Sequence, residues 1–118
     1  MKIRTEQDIT AAVARQLRQN LGLTQKDFWE SVGSSQASGF WYEQGKRKEV
    51  PRPIRMLIFL RYVAMLDFDV SNPAEADAVI RMGRAMRAKK DAVRLKQAAQ
   101  VAEELAKKAA TKAENFKL

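Results

Sequence analysis

The stretch Thr24-Gln25-Lys26-Asp27-Phe28-Trp29-Glu30-Ser31-Val32-Gly33-Ser34-Ser35-Gln36 constrains this chain more than any other part of it. Thr24 can cap a helix that starts at Gln25, with Asp27 three residues on, where its carboxylate can bond back to the cap. Gly33 supplies the backbone freedom that a sharp turn needs. Ser35 can cap a second helix beginning at Gln36.

Two short capped helices about a glycine turn have the layout of a helix-turn-helix, which presents its second helix to the major groove of DNA. Composition agrees with a binding role and leaves little room for catalysis. The 118 residues suffice for one domain, or one small domain with an appendage, and 46% apolar against 31% charged residues can build a core. There is no cysteine and no histidine. Disulfides, thiolate metal sites, thiol nucleophiles and the commonest general base are therefore all missing. No enzymatic activity, cofactor or metal is expected.

The opening residues lack the apolar run of a signal peptide. The most hydrophobic stretch, Ile54 to Phe68, is too short to span a bilayer and carries Arg55, Arg61 and Asp67. A soluble cytoplasmic protein with no membrane partner is expected. The formal net charge is +8, unevenly spread: residues 1–80 carry +1 and residues 81–118 carry +7. Such a balance suits a polyanion, of which nucleic acid is the usual one; the alternative is a solvated lysine-rich helix that binds nothing.

Periodicity and punctuation predict an all-α chain. Thr5 and Asp8 make a capping-box-like start to a helix reaching Asn20, with Ile9, Val13 and Leu17 along one face and Gly22 at its end. Helices over 25–31 and 36–44 follow, the latter closed by Gly45. Pro51 and Pro53 keep the basic loop 46–53 extended. A fourth helix over 54–66 is apolar nearly all round, so either it sits at the centre of the fold or part of it packs against a second copy. Ser71-Asn72-Pro73-Ala74-Glu75 starts a last helix, which runs to about Asn115 and extends ~60 Å. Its first part has an apolar face (Ala76, Val79, Ile80, Gly83, Met86) suited to docking on the domain. Leu95, Ala98, Ala102, Leu105, Ala109 and Phe116 then mark either a weak coiled-coil seam or a solvated tail. The division expected is a helix-turn-helix domain over 1–70 and a long basic Ala/Lys-rich helix over 71–118.

The residues Leu17-Arg18, Gly22-Leu23-Thr24-Gln25, Glu30, Gly33, Ser35-Gln36 and Glu43-Gln44-Gly45-Lys46-Arg47 resemble the Cro and lambdoid-repressor class of regulators, the XRE family. Phe28-Trp29 and Tyr42-Glu43-Gln44-Gly45-Lys46-Arg47 also look like a narrower bacterial subgroup within it. The resemblance covers about residues 10–65. It implies that Gln25 bonds a phosphate, that Gln36, Ala37 and Ser38 face bases, and that Gln44 touches the backbone. It further implies that Lys46, Arg47, Lys48 and Arg52 attract phosphates, and that Arg18 and Glu43 form an internal ion pair.

The chain departs from the family in two places. Trp29 stands where a small residue is usual and Gly39 where an aliphatic one is, so the indole can fill the space that the glycine vacates. Phe40 and Trp41 occupy positions where polar side chains usually approach DNA. They suit contacts with thymine methyls, or an exposed patch for a protein partner. The expected function is a sequence-specific regulator, a repressor that binds an inverted repeat of double-stranded DNA as a homodimer. The alternatives are a protein-binding adaptor or antitoxin anchored by Phe40 and Trp41, and a non-specific nucleic-acid binder driven by the basic tail.

Overall fold

A computed structural model describes residues 2–46 and 49–115. The described residues form helices only: a 3-10 turn (Glu6–Asp8), α1 (Ala11–Asn20), α2 (Gln25–Ser31), α3 (Gln36–Glu43), α4 (Arg52–Ile58), a π-helical segment (Phe59–Val63) and α5 (Pro73–Asn115). They divide into two compact units, one ending at Asp67 and one beginning at Phe68.

In the first unit the same local grammar is used three times. The hydroxyls of Thr10, Thr24 and Ser35 accept hydrogen bonds from the amides of Val13, Asp27 and Ser38, satisfying donors that a helix start leaves orphaned. The ends of α1, α2 and α3 also match. The amides of Leu23, Ser34 and Lys46 donate back to the carbonyls of Arg18, Trp29 and Trp41. Gly22, Gly33 and Gly45 supply the left-handed residue that this closure needs. Helices of seven to ten residues are marginal alone, so these caps set where each begins and ends while packing holds it.

Thr5 and Asp8 do form a capping box, but it starts only the 3-10 turn. The chain then extends through Ile9 and Thr10, sending the Ile9 side chain into the core before α1 begins at Ala11. The predicted single helix from Thr5 is thus two pieces. The fourth helix also differs from expectation. It begins at Arg52, with Pro53 inside its first turn, where a proline sacrifices no hydrogen bond. It widens into π geometry at Phe59, and Met65 closes it in a left-handed conformation (φ 57°). Ile58 is buried and Ile54, Phe59, Tyr62 and Val63 are half-buried, whereas Met56, Leu57 and Leu60 are exposed. The helix therefore lies not at the centre of the fold but at the core's edge, with one flank open.

The core combines Ile9, Ala14, Phe28, Trp29, Val32, Tyr42, Val50 and Ile58. Its aromatic rings run in contact from Tyr62 to Phe28 (4.9 Å between centroids), to Trp29 (5.1 Å, edge-on) and to Tyr42 (5.4 Å). Such contacts stabilise by about 0.5–1.5 kcal/mol each beyond area burial. Arg55 fastens α4 to the start of the chain, donating to Glu6 at 2.7 Å and to the Val50 carbonyl at 3.0 Å.

In the second unit, the Asn72 side chain caps α5 by accepting from the Ala74 amide at 2.9 Å. This helix has 43 residues, and none of those described is buried. No helix among the described residues is long and apolar enough to cross a membrane.

Candidate nucleic-acid interface

α3 has two faces that differ in kind. Gly39 and Tyr42 are buried, and the side chain of Glu43 is only 1% exposed. Opposite them, Gln36, Ala37, Phe40 and Gln44 are exposed, Trp41 is half-buried on their flank, and Ser38 lies at the boundary. With 3.6 residues per turn, Gln36, Phe40, Gln44, Ala37 and Trp41 share an arc of about 140°. The candidate contact residues of α3, Ser38 apart, therefore present one continuous surface.

Two inward contacts set the rotation and depth of α3. The first is steric. A β-carbon at Gly39 would lie 2.1 Å from Cγ of the fully buried Trp29, so only a glycine lets α3 sit this close to α2. The compensation expected between these two positions is what the structure shows. The second is electrostatic. Arg18 donates to both Glu43 oxygens (2.8 and 3.0 Å), Trp29 Nε1 to Oε2 at 2.7 Å, and Gln25 Nε2 to Oε1 at 3.3 Å. Burial works to raise the Glu43 pKa. The donors Arg18, Trp29 and Gln25, with the charge of Arg18, outweigh it and hold the carboxyl below its ordinary value. The carboxylate thus ties α1, α2 and α3 together, as the predicted Arg18–Glu43 pair requires. Trp29 was not foreseen as its partner, because that bond needs the relative pitch of α2 and α3, which sequence spacing does not supply.

Of the remaining candidates, Gln25, Gln44 and Lys46 adjoin α3, and Arg52 begins α4. Gln25 is the first residue of α2, and one N–H of its amide is occupied by Glu43. Gln44 is exposed at the end of α3. Lys46 folds back past Gly45 so that its ammonium lies 4.5 Å from the centre of the Trp41 ring, while Trp41 meets Phe40 edge-on at 5.3 Å. A cation is thereby held at the rim of an apolar patch. Arg52 is well exposed, 3.7 Å from Glu6. Arg47 and Lys48, the other two cations predicted for the loop, lie outside the described residues.

The surface so built carries hydrogen-bonding amides, an aromatic pair and a flanking cation on a short rigid helix, a set suited to base edges and phosphates. Residues 15–61, from within α1 to within the π-helical segment, match the family model of the RsaL-like HTH domain. No curated protein and no solved structure matches the chain. The chain carries a helix-turn-helix domain, similar over those residues to the RsaL-like one.

Proposed function

We propose that this protein is a sequence-specific regulator that binds double-stranded DNA through α3, acting as a repressor and as a homodimer on an inverted repeat. The observation that carries this reading is the division of α3 into a locked inward face and an outward face bearing Gln36, Ala37, Phe40 and Trp41. Gln36 pairs bidentately with adenine, a contact that discriminates by about 1–3 kcal/mol. Ala37, Phe40 and Trp41 take thymine methyls, so the preferred site is rich in A·T pairs. Gln25, Gln44, Lys46, Arg47, Lys48 and Arg52 set register on phosphates without reading sequence. On this reading the protein acts as the Cro and lambdoid-repressor class does, and no chemistry is performed: an occupied operator excludes polymerase. Such a protein works where its DNA lies, in the cytoplasm.

One helix of this length makes few base contacts, so two copies spaced by a helical turn of DNA give useful affinity. The open flank of α4 and the π-helical segment, with Met56, Leu57 and Leu60, is the apolar surface that a second copy would cover.

Selection from a randomised duplex pool, with the wild type and Gln36→Ala in parallel, tests the reading. The expected result is an enriched A·T-rich inverted repeat whose adenine preference the variant loses. Enrichment of nothing, with weak and steeply salt-dependent binding, overturns it. The same exposed aromatic pair favours one competitor, an adaptor or antitoxin that grips a protein through Phe40 and Trp41. Phe40→Ser combined with Trp41→Arg separates the two, since undiminished DNA binding would assign the aromatics to a partner.

A further inference from the structure

The positive charge of α5 is concentrated in one segment. Residues 81–96 hold seven basic side chains and one acidic, whereas residues 97–115 hold three of each. The distal part behaves as an ordinary solvated helix, with Lys107 paired to Glu103 across one turn. In the proximal part only Arg81 has such a partner, Asp77 at 3.2 Å. Among the described residues Arg84, Arg87, Lys89, Lys90, Arg94 and Lys96 make no ion pair within 4 Å.

Four of these cations form a ridge. The spacing of Arg84, Arg87, Lys90 and Arg94 places them within an arc of about 120° and along ~15 Å of helix. All four are exposed. A shallow depression lined by Gly83, Met86, Arg87, Lys90, Asp91 and Arg94 lies along the ridge, open where Gly83 has no side chain. Neighbours three and four residues apart carry like charge here, which works against the helix. Asp91 is the single carboxylate among them.

We infer that the Arg84–Arg87–Lys90–Arg94 ridge is a second binding site for the phosphate backbone of duplex DNA, separate from the α3 surface. One strand of a duplex offers about one phosphate per 3.4 Å of axis, so a ~15 Å ridge of four cations meets a comparable number of phosphates. The large apolar side chains do not gather opposite the ridge. Ile80 and Leu95 lie on the other side of the helix from Met82, Met86 and Val93, so α5 lacks the single apolar face with which a helix lies in a bilayer surface. The choice of duplex DNA as partner rests on the proposed function, since a covalently attached helix-turn-helix domain keeps DNA at high local concentration. The ridge itself does not depend on that reading.

The test is the salt dependence of duplex binding by the full chain. A variant combining Arg84→Gln, Arg87→Gln, Lys90→Gln and Arg94→Gln keeps good helix formers while removing four charges. Far-UV circular dichroism checks that the helix persists. The slope of log affinity against log salt should flatten by about 3 to 4, from 0.9 per phosphate contact. A control combining Lys107→Gln, Lys108→Gln and Lys112→Gln should leave the slope unchanged. A flattening in the control of about the same amount per charge removed overturns the site, because total charge would then suffice. An unchanged slope in the ridge variant also overturns it, whether or not the ridge binds single-stranded RNA or phosphatidylserine vesicles instead. Sequence preference is scored separately, by Gln36→Ala on a selected site. If the wild type selects no sequence, the α3 reading fails while the slope on plain duplex still decides the ridge.

Discussion

α3 and α5 both turn a flank to solvent, but only α3 has its rotation fixed from outside. Its buried side sets Gly39 against Trp29 and carries Tyr42 and a carboxylate held by three other residues, so each outward side chain of α3 inherits its direction from packing. α5 has no buried residue along its described length, and the directions of its side chains follow from helix periodicity alone. A change on the hidden side of α3 therefore alters the surface it shows, whereas a change on α5 stays where it is made.

The largest expected effect sharpens this contrast. Trp29→Ala removes the centre of the aromatic chain and a donor to Glu43, and should destabilise by about 4 kcal/mol in urea denaturation. Leu95→Ala on α5, where that residue is 72% exposed, should stay within about 0.5 kcal/mol. Similar losses at both sites would erase the distinction.

Acid should act on the first region next. Glu43 is held below its ordinary value of 4.5, so the unfolded chain takes up the proton more readily. The stabilisation is complete above that value and is lost as pH falls through the lowered one. Glu43→Gln, which leaves Arg18 without its charge partner, should cost about 3 kcal/mol near neutral pH. The gap to the wild type should narrow as pH drops below 4.5. Asp8 and Asp69, lowered by hydrogen bonds from Arg4 and Thr5 and from Ser71, keep part of the acid dependence in either protein.

One substitution made in both helices should have opposite signs. Gly39→Ala forces a β-carbon into Trp29 and should destabilise by about 2 kcal/mol, although alanine is the better helix former. Gly83→Ala on α5 meets nothing within 4 Å. It should raise helix stability by about 0.5–1 kcal/mol, read as a higher melting temperature of the helical signal in circular dichroism. The same sign at both positions would break the comparison.

How far the sequence could be read follows the same division. The bounds of α2 were legible to the residue and those of α3 to within one, because Thr24, Gly33, Ser35 and Gly45 act on their own neighbours. The Trp29–Gly39 exchange was legible as a pair of volumes, and the Arg18–Glu43 pair through the family resemblance. The break at Ile9 and Thr10 was not, since Thr5 and Asp8 look like a helix start and only the demand of the core for Ile9 splits the run. Nor was the π-helical widening at Phe59, where Phe59, Tyr62 and Val63 all turn towards the core, a tertiary demand with no local mark. The Lys46–Trp41 contact depends on how the chain folds back past Gly45, which spacing alone does not specify.

The shared volume of Trp29 and Gly39 also sets the order in which the two positions can change. Enlarging Gly39 first meets a ring that has no room to move aside. Shrinking Trp29 first leaves a cavity, which costs stability but forces no clash. A lineage moving from this pairing to a small residue facing an aliphatic one has a passable route only through the cavity. In the reverse direction the glycine must come before the tryptophan. Both directions therefore pass through one intermediate, a small residue facing glycine, and neither can begin by enlarging a side chain while its partner is large.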